Sequence, residues 1–469
     1  MNRKLLQGLE RLADYKSESS KLSKQFARIV SALVGFSLIC AAVFVATPRA
    51  ASMPQSAAPS LPRNAAIVAT TAAILKETSE IRELAILRPV KSGAQSRTEI
   101  ERMIVRNLDE QTTPVEMHAT EVSLKKLGLV PPEFQYHSFV VKLLTEQVAG
   151  YYDPKAQRFY LADWIDLEGQ KPVMAHELTH ALQDQHFNLS RFEKWPKGDS
   201  DAELAAHALI EGDATLAMTL YMAKNPLVAL AFMRSLGSSN LASEQITQAP
   251  RVIRESLIFP YDQGSEWATR VYKRGGWAAV SQAFTKLPLS SEQILHPEKY
   301  FDYETPVKVS LPDYRPLLGF GWKRIDYDVN GEWSLYLILD QFLNASAESR
   351  RAAAGWAGDR FALYEGSKPG EVLIAQLTAW DTESDAREFF DAYAKRTWRR
   401  YPKAEATEIT SGQDTKAADA TAQNPVREGH EWQTNEGRVV LELRGSRVLS
   451  IEGIPSKADT KALIRASWQ

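Results

Sequence analysis

Cysteine is nearly missing from this chain. Its 469 residues hold one, Cys40, so no intrachain disulfide can form and thiolate-built zinc or iron–sulfur sites are excluded. An excess of either charge is missing as well. The 56 Lys and Arg residues face 58 Asp and Glu residues. That balance argues against a general nucleic-acid binder, which needs a basic face to replace the counterions on phosphates. There is no internal repeat. Histidine is sparse, at eight residues, so a bound metal would have to be held by a few imidazoles and carboxylates. The remaining composition, 44% hydrophobic and 24% charged, is that of a globular protein with length for two or three domains.

One long uncharged apolar run is present, IVSALVGFSLICAAVFVA from Ile29 to Ala46. As a helix it would be about 27 Å long, close to the roughly 30 Å of a bilayer's hydrocarbon core. Residues 1–28 before it carry seven Lys/Arg against three Asp/Glu, a basic segment expected to stay cytoplasmic. Two readings fit: an uncleaved transmembrane anchor, or a signal-peptide apolar region cut near Ala50-Ala51-Ser52. The long basic segment favours the anchor. Either way the rest of the chain is exported, membrane-anchored or secreted, with its bulk in the periplasm or at the cell surface. Cys40 reads as a small apolar residue of that helix, because Ser37-Leu38-Ile39 before it is not a lipobox. Residues 47–64, rich in Ala, Pro and Ser, have linker composition.

Helical patterning follows at about 65–87, 97–108, 116–127 and 134–149. These helices fit either a prodomain or half of a substrate cleft. In GYYDPKAQRFYLADW, Asp153 to Gln157 is turn chemistry between two aromatic runs, so a β-hairpin is expected with its second strand at Arg158–Ala162. Pro172 suits the first turn of a helix running to about Gln185, and another helix is expected over Asp201–Ala223. Two or three more should precede Pro297. From about Gly358 the pattern changes to strands at 360–364, 371–378, 438–443 and 447–451, with helices at 384–399 and 457–467. Residues 403–425 between them are polar and read as a mobile loop. The expected organisation is a catalytic unit over 65–345, with its core at 140–285, then an α+β accessory domain over 358–469.

Within VMAHELTHALQDQHF, residues 173–187, lie three of the eight histidines. His176-Glu177-Leu178-Thr179-His180 is an HExxH sequence. Residues four apart on a helix share a face, one turn above the other, so both imidazoles can grip one ion. Zinc suits them, since it takes neutral imidazole nitrogen and leaves a position open. Glu177, beside the first His, can take a proton from water that the ion has acidified and pass it to a leaving amine. Val173, Met174, Ala175, Leu178, Ala181 and Leu182 would bury the helix, and buried polar groups without a use are costly.

Two residues could supply the third ligand. Glu211, in ALIEGDAT, stands on the next helix. His186 follows His180 by six residues, the spacing of the metzincin pattern HExxHxxGxxH. That pattern needs a Gly for its sharp turn, where this chain has Gln183. On a continued helix His186 would face away from the ion, at about 600° from His180, so Glu211 is preferred. For orienting the ligand histidines, Asp184 and Asp213 are candidates. His207, one turn before Glu211, and Tyr261 are candidate catalytic donors to a developing oxyanion, each also readable as a packed side chain. His296 is expected to fix a turn before Pro297, and His118, His137 and His430 have no partner pattern.

HELTH followed on a later helix by Glu211-Gly212-Asp213-Ala214 resembles the gluzincin zinc metallopeptidases, whose third ligand is a Glu often set in EGxA. The hairpin strand before the motif helix is similar too, and Tyr261-Asp262-Gln263-Gly264, Trp267, Tyr272 and Gly275-Gly276 resemble the helix after the third ligand. The likeness covers roughly residues 140–285. It departs from the thermolysin-like pattern at Thr215, where an Asp would orient a ligand His. The resemblance implies a mainly helical, zincin-like α+β fold with a Zn2+ cofactor on His176, His180 and Glu211. It implies Glu177 as general base, then acid, and a peptide or protein substrate bound along the hairpin strand. A catalytically silent metal-binding scaffold stands as the alternative from another class.

Overall fold

The computed structural model describes residues 63–164, 167–192, 195, 197–238, 248–410 and 427–469. The expected basic segment, apolar helix and most of the linker lie outside the described residues, as does most of the expected loop 403–425. The fold is α+β. Among the described residues no single helix is long and apolar enough to cross a membrane.

The first part runs α1 (Arg63–Arg82), β1 (Lys91–Gln95), α2 (Arg97–Gln111), α3 (Pro114–Lys126), α4 (Tyr136–Gln147), β2 (Gly150–Asp153), β3 (Arg158–Ala162), α5 (Lys171–Phe187), α6 (Ser200–Lys224), α7 (Pro226–Ser238) and α8 (Arg251–Ala283). Local chemistry sets several of these ends. Ser96 with Glu99 and Thr113 with Glu116 form capping boxes that open α2 and α3, each satisfying backbone donors that a helix start would otherwise leave bare. Asn188, in the left-handed conformation, closes α5. The hairpin forms at the expected residues, with Tyr151 opposite Tyr160 and Tyr152 opposite Phe159. Strand β1 was not expected. Lys-Ser-Gly-Ala-Gln has no β-branched or aromatic residue, yet it pairs parallel to β3 from Lys91–Arg158 to Gln95–Ala162.

Helix α8 is the longest of the two or three further helices expected before Pro297. It continues through Pro260 and kinks at Gly275–Gly276, where the backbone leaves helical geometry. It crosses α6 with no room to spare. A Cβ on Gly212 would lie 2.1 Å from the Gly264 carbonyl oxygen, and one on Gly264 would lie 2.2 Å from that of Ala208. The glycine of the EGDA stretch therefore lets two backbones touch beside Glu211.

The second part contains α9 (Ser291–Leu295), α10 (Pro297–Asp302), α11 (Arg315–Leu318), β4 (Lys323–Asp328), α12 (Gly331–Leu343), α13 (Ser346–Ala353), β5 (Trp356–Glu365), β6 (Val372–Trp380), α14 (Glu383–Arg400), β7 (Glu405–Thr410), β8 (Arg427–Thr434), β9 (Gly437–Arg444), β10 (Arg447–Ile454) and α15 (Thr460–Ser467). Its sheet has seven strands in the order β4-β5-β6-β10-β9-β8-β7, with antiparallel pairing throughout. The sheet begins at Lys323, ahead of the change in patterning at Gly358. Residues 405–410, expected in the mobile loop, are instead strand β7 on β8. Both faces are covered. Phe389, Phe390 and Tyr393 of α14 share one core with α6, α8 and α12, while Tyr314, Leu463 and Ile464 close the other face. Burial on both faces explains why β6 reads Val-Leu-Ile-Ala-Gln-Leu-Thr-Ala-Trp with almost no alternation.

Candidate metal centre

Helix α5 is buried along most of its length, from Pro172 to Asp184, so its polar side chains must find partners inside the protein. Turned toward α6, His176 and His180 stand one turn apart and their Nε2 atoms are 3.1 Å from each other. Glu211 on α6 completes the group. Its Oε2 is 3.1 Å from His176 Nε2 and its Oε1 is 3.5 Å from His180 Nε2. The carboxylate is fully buried, and the imidazoles are 6% and 4% exposed. These three residues can hold a metal ion, each offering one ligand atom. Zinc bonds to nitrogen and oxygen are about 2.0–2.2 Å, which puts tetrahedral ligand atoms roughly 3.3 Å apart. The observed separations fit that figure.

The hydrogen bonds around His180 fix which ring nitrogen faces Glu211 and His176. His180 Nδ1 lies 2.8 Å from Gln183 Oε1. The Gln183 amide nitrogen donates to the Ile210 carbonyl and to Asp213 Oδ2, both at 2.9 Å. Two acceptors therefore hold the NH2 end of the amide, its oxygen must face the imidazole, and Nδ1 must carry the proton. His180 Nε2 therefore faces the cluster, as the nitrogen able to ligate an ion there. Asp213 is held in turn by Arg82 of α1, whose Nε donates to Oδ1 at 2.5 Å, both side chains being fully buried. Arg82 also donates to Ser281 Oγ and lies over the Trp277 ring.

Without a cation the cluster accommodates a proton. Burial works against the charged form of Glu211, but His180 and His176 outweigh it and hold the carboxyl well below its usual range. Burial likewise disfavours a charged His180, yet Glu211 prevails and raises it to about 9. His176 is lowered, chiefly by burial. A divalent ion would displace that proton.

Glu177 is buried, and its Oε2 accepts from the Tyr152 amide of β2 at 3.1 Å, which ties the motif glutamate to the hairpin edge. Tyr261 packs its ring on His176, centroids 6.0 Å apart. His207 sits one turn before Glu211. Its pKa is lowered by burial, against the carboxylates of Glu203 and Glu211, and its Nε2 has no hydrogen-bond partner among the described residues.

His186 is not brought to the cluster. Helix α5 continues past Gln183 to Phe187, and the His186 Nε2 meets the Ala85 carbonyl at 2.7 Å. Of the two aspartates considered as orienting groups, Asp184 accepts from Arg88 and the Tyr152 hydroxyl, while Asp213 acts through Gln183. Gln183 and Arg82 were missed. The spacing of Gln183 three residues after His180 was a usable signal; Arg82, far away in sequence, gave none. His296 bonds Glu332 at 2.9 Å at the turn before Pro297, and His118 pairs with Glu365. A second acidic group, Glu292, Glu304 and Asp381, closes on the Lys299 ammonium at 2.8, 3.0 and 2.6 Å, which already supplies the cation those carboxylates need.

The class defined so far is an α+β protein with a buried two-histidine, one-carboxylate site able to take a metal ion. Comparison with known families adds one result: residues 317–464 match a family described as a domain of unknown function, DUF8575. The match falls on the second part and stops short of the cluster. No curated protein and no solved structure matches the chain.

Proposed function

We propose that the chain is an exported, membrane-anchored zinc metallopeptidase of the gluzincin type, built on a zincin-like catalytic unit and followed by an α+β unit. One observation carries the reading. Ligand atoms of His176, His180 and Glu211 converge in a buried site, close enough to share one ion, with the motif's Glu177 next to His176.

Zinc, when bound by those three residues, supplies a Lewis acid that polarises a peptide carbonyl and makes water a better nucleophile at neutral pH. The protein's own groups supply the rest. Glu177, held by the Tyr152 amide, takes the proton of the attacking water and returns it to the departing amine. Tyr261 and His207 are the groups proposed to steady the oxyanion. Strand β3, the hairpin strand nearest the motif helix in sequence, is paired on both sides, so the main chain proposed to meet an extended peptide or protein substrate is that of β2 at the sheet edge, apart from the Tyr152 amide that Glu177 already takes. No covalent enzyme intermediate is required.

The test is metal analysis of the purified full chain with and without chelator, alongside cleavage of a mixed peptide library. One zinc per chain with chelator-sensitive cleavage is expected. Glu211→Gln should release zinc and His186→Ala should keep it. A chain that takes up no zinc refutes the reading, and one that is zinc-loaded but cuts nothing supports the silent scaffold instead.

A further inference from the structure

Among the described residues the most exposed large apolar side chain is Phe320, at 107%. It is the apex of Gly319-Phe320-Gly321, between α11 and β4. Gly319 and Gly321 have φ of 95° and 93°, a region that other residues adopt only with strain. A Cβ at Gly319 would meet nothing within 4 Å, while one at Gly321 would meet Ser367 at 3.2 Å, so the tip is open on the Gly319 side and rests on the β5–β6 connection at Gly321. Its base is fixed, because Leu318 and Trp322 pack against the core under the sheet. Leu317 is exposed beside the apex. Flanking it in sequence are exposed Arg315, paired with Asp313, Lys323, opposite Glu365 on β5, and Arg324, which lies over the Tyr327 ring. An aromatic apex with long basic side chains and their apolar stems close by in sequence is a composition that settles at a bilayer's headgroup level.

The chain's own length says what could cover this tip. Between the apolar run ending at Ala46 and the start of α1 at Arg63 are residues 47–62, which reach at most about 55 Å when extended. A folded body of some 400 residues is itself about 55 Å across, from a radius of gyration near 21 Å. A tether of that length keeps the body at the membrane without choosing which face meets it. A single ring is too little to recruit a protein from solution. It is enough to orient one that a short tether already holds at high effective concentration.

We propose that the Gly319–Gly321 tip inserts into the lipid interface of the membrane that anchors the chain, and so sets the orientation of the body on the bilayer. The inference rests on the anchoring proposed above. The test uses the full chain with Cys40→Ser and a single new cysteine, Phe320→Cys or Leu227→Cys, carrying an environment-sensitive fluorophore. Leu227 is a control on a separate exposed apolar face, at 81% exposure. The chain is reconstituted in phosphatidylcholine–phosphatidylglycerol vesicles. The label at 320 should shift to the blue and be quenched by headgroup-level nitroxide lipids several-fold more than the label at 227. Equal quenching at the two sites, or more at 227, overturns the proposal. So does quenching of the 320 label by nitroxide-labelled copies of the chain without lipid, which would make the occupant a second copy. Release of the chain from vesicles by alkaline carbonate is a different failure: it removes the anchor, and the proposal with it.

Discussion

Replacing Gln183 by Met tests whether the amide controls the metal site or merely fills space. Met is similar in size but can neither accept from His180 Nδ1 nor donate to Asp213, where Gln183 now does both at 2.8 and 2.9 Å. Two buried groups lose a partner, the imidazole N–H and Asp213 Oδ2. The Ile210 carbonyl lies within α6, whose own ladder still uses it. At about 1–3 kcal/mol for each unsatisfied group, the metal-free protein should lose about 2–6 kcal/mol of stability. A freed imidazole can also turn or change tautomer. Loss of such an orienting partner typically weakens metal binding by about 10–100-fold, or roughly 1.4–2.8 kcal/mol. Urea denaturation of the metal-free protein gives the first number, and zinc titration against a competing chelating dye, on protein shown to be folded, gives the second. If stability falls as expected while zinc affinity stays at the wild-type value, the tautomer argument is wrong and Gln183 is a packing residue.

Glu177→Gln should keep stoichiometric zinc while cleavage falls by about 10²–10⁴-fold, read by metal analysis and a peptide assay on one sample. Gly212→Ala puts a methyl group where the Gly264 carbonyl stands, so α6 and α8 must separate. A loss of about 1–3 kcal/mol in urea denaturation is expected, with weaker zinc binding because Glu211 is next door. Glu452 is buried with Arg396 at 2.5 Å and Arg400 at 2.9 Å. Burial opposes its charge, but the arginines prevail and hold it at about 2, below the ordinary 4.5. Its contribution to stability is therefore complete above pH 4.5 and lost as pH falls toward 2. Glu452→Gln should cost about 3–5 kcal/mol near neutrality by stranding the guanidinium groups. It should also flatten the stability–pH curve in that acid range, measured by thermal melts.

Much of the first part was legible because its signals are local. An i, i+4 pair of histidines on an apolar helix, a turn between two aromatic runs and a Glu on the next helix each declare themselves within a few residues. The strands β1 and β4 did not. Lys-Ser-Gly-Ala-Gln lacks the composition of a strand, and Lys-Arg-Ile-Asp-Tyr-Asp offers only Ile325 and Tyr327 among charged residues; both pair with strands distant in sequence, β3 and β5. Helix α8 was expected over Tyr261 to Gly276, but not its extension back through Pro260 to Arg251, since proline ordinarily ends a helix. In the site, Gln183 drew notice only as an obstacle to a metzincin turn. Its amide is a hydrogen-bond bridge to Asp213, and what holds that aspartate is an arginine from α1, which no spacing rule connects to α6.

That arginine bears on how the protein could be matured. Arg82 is the last residue of α1, and its guanidinium balances Asp213, which Gln183 links by hydrogen bonds to the candidate ligand His180. A processing protease could trim the segment before Arg63 and leave the centre whole. A cut inside the helix would withdraw the buried counter-charge of Asp213 and loosen His180. Loss of the stretch from Arg63 to Arg82 is therefore expected to weaken the hold on His180, whatever else that segment does.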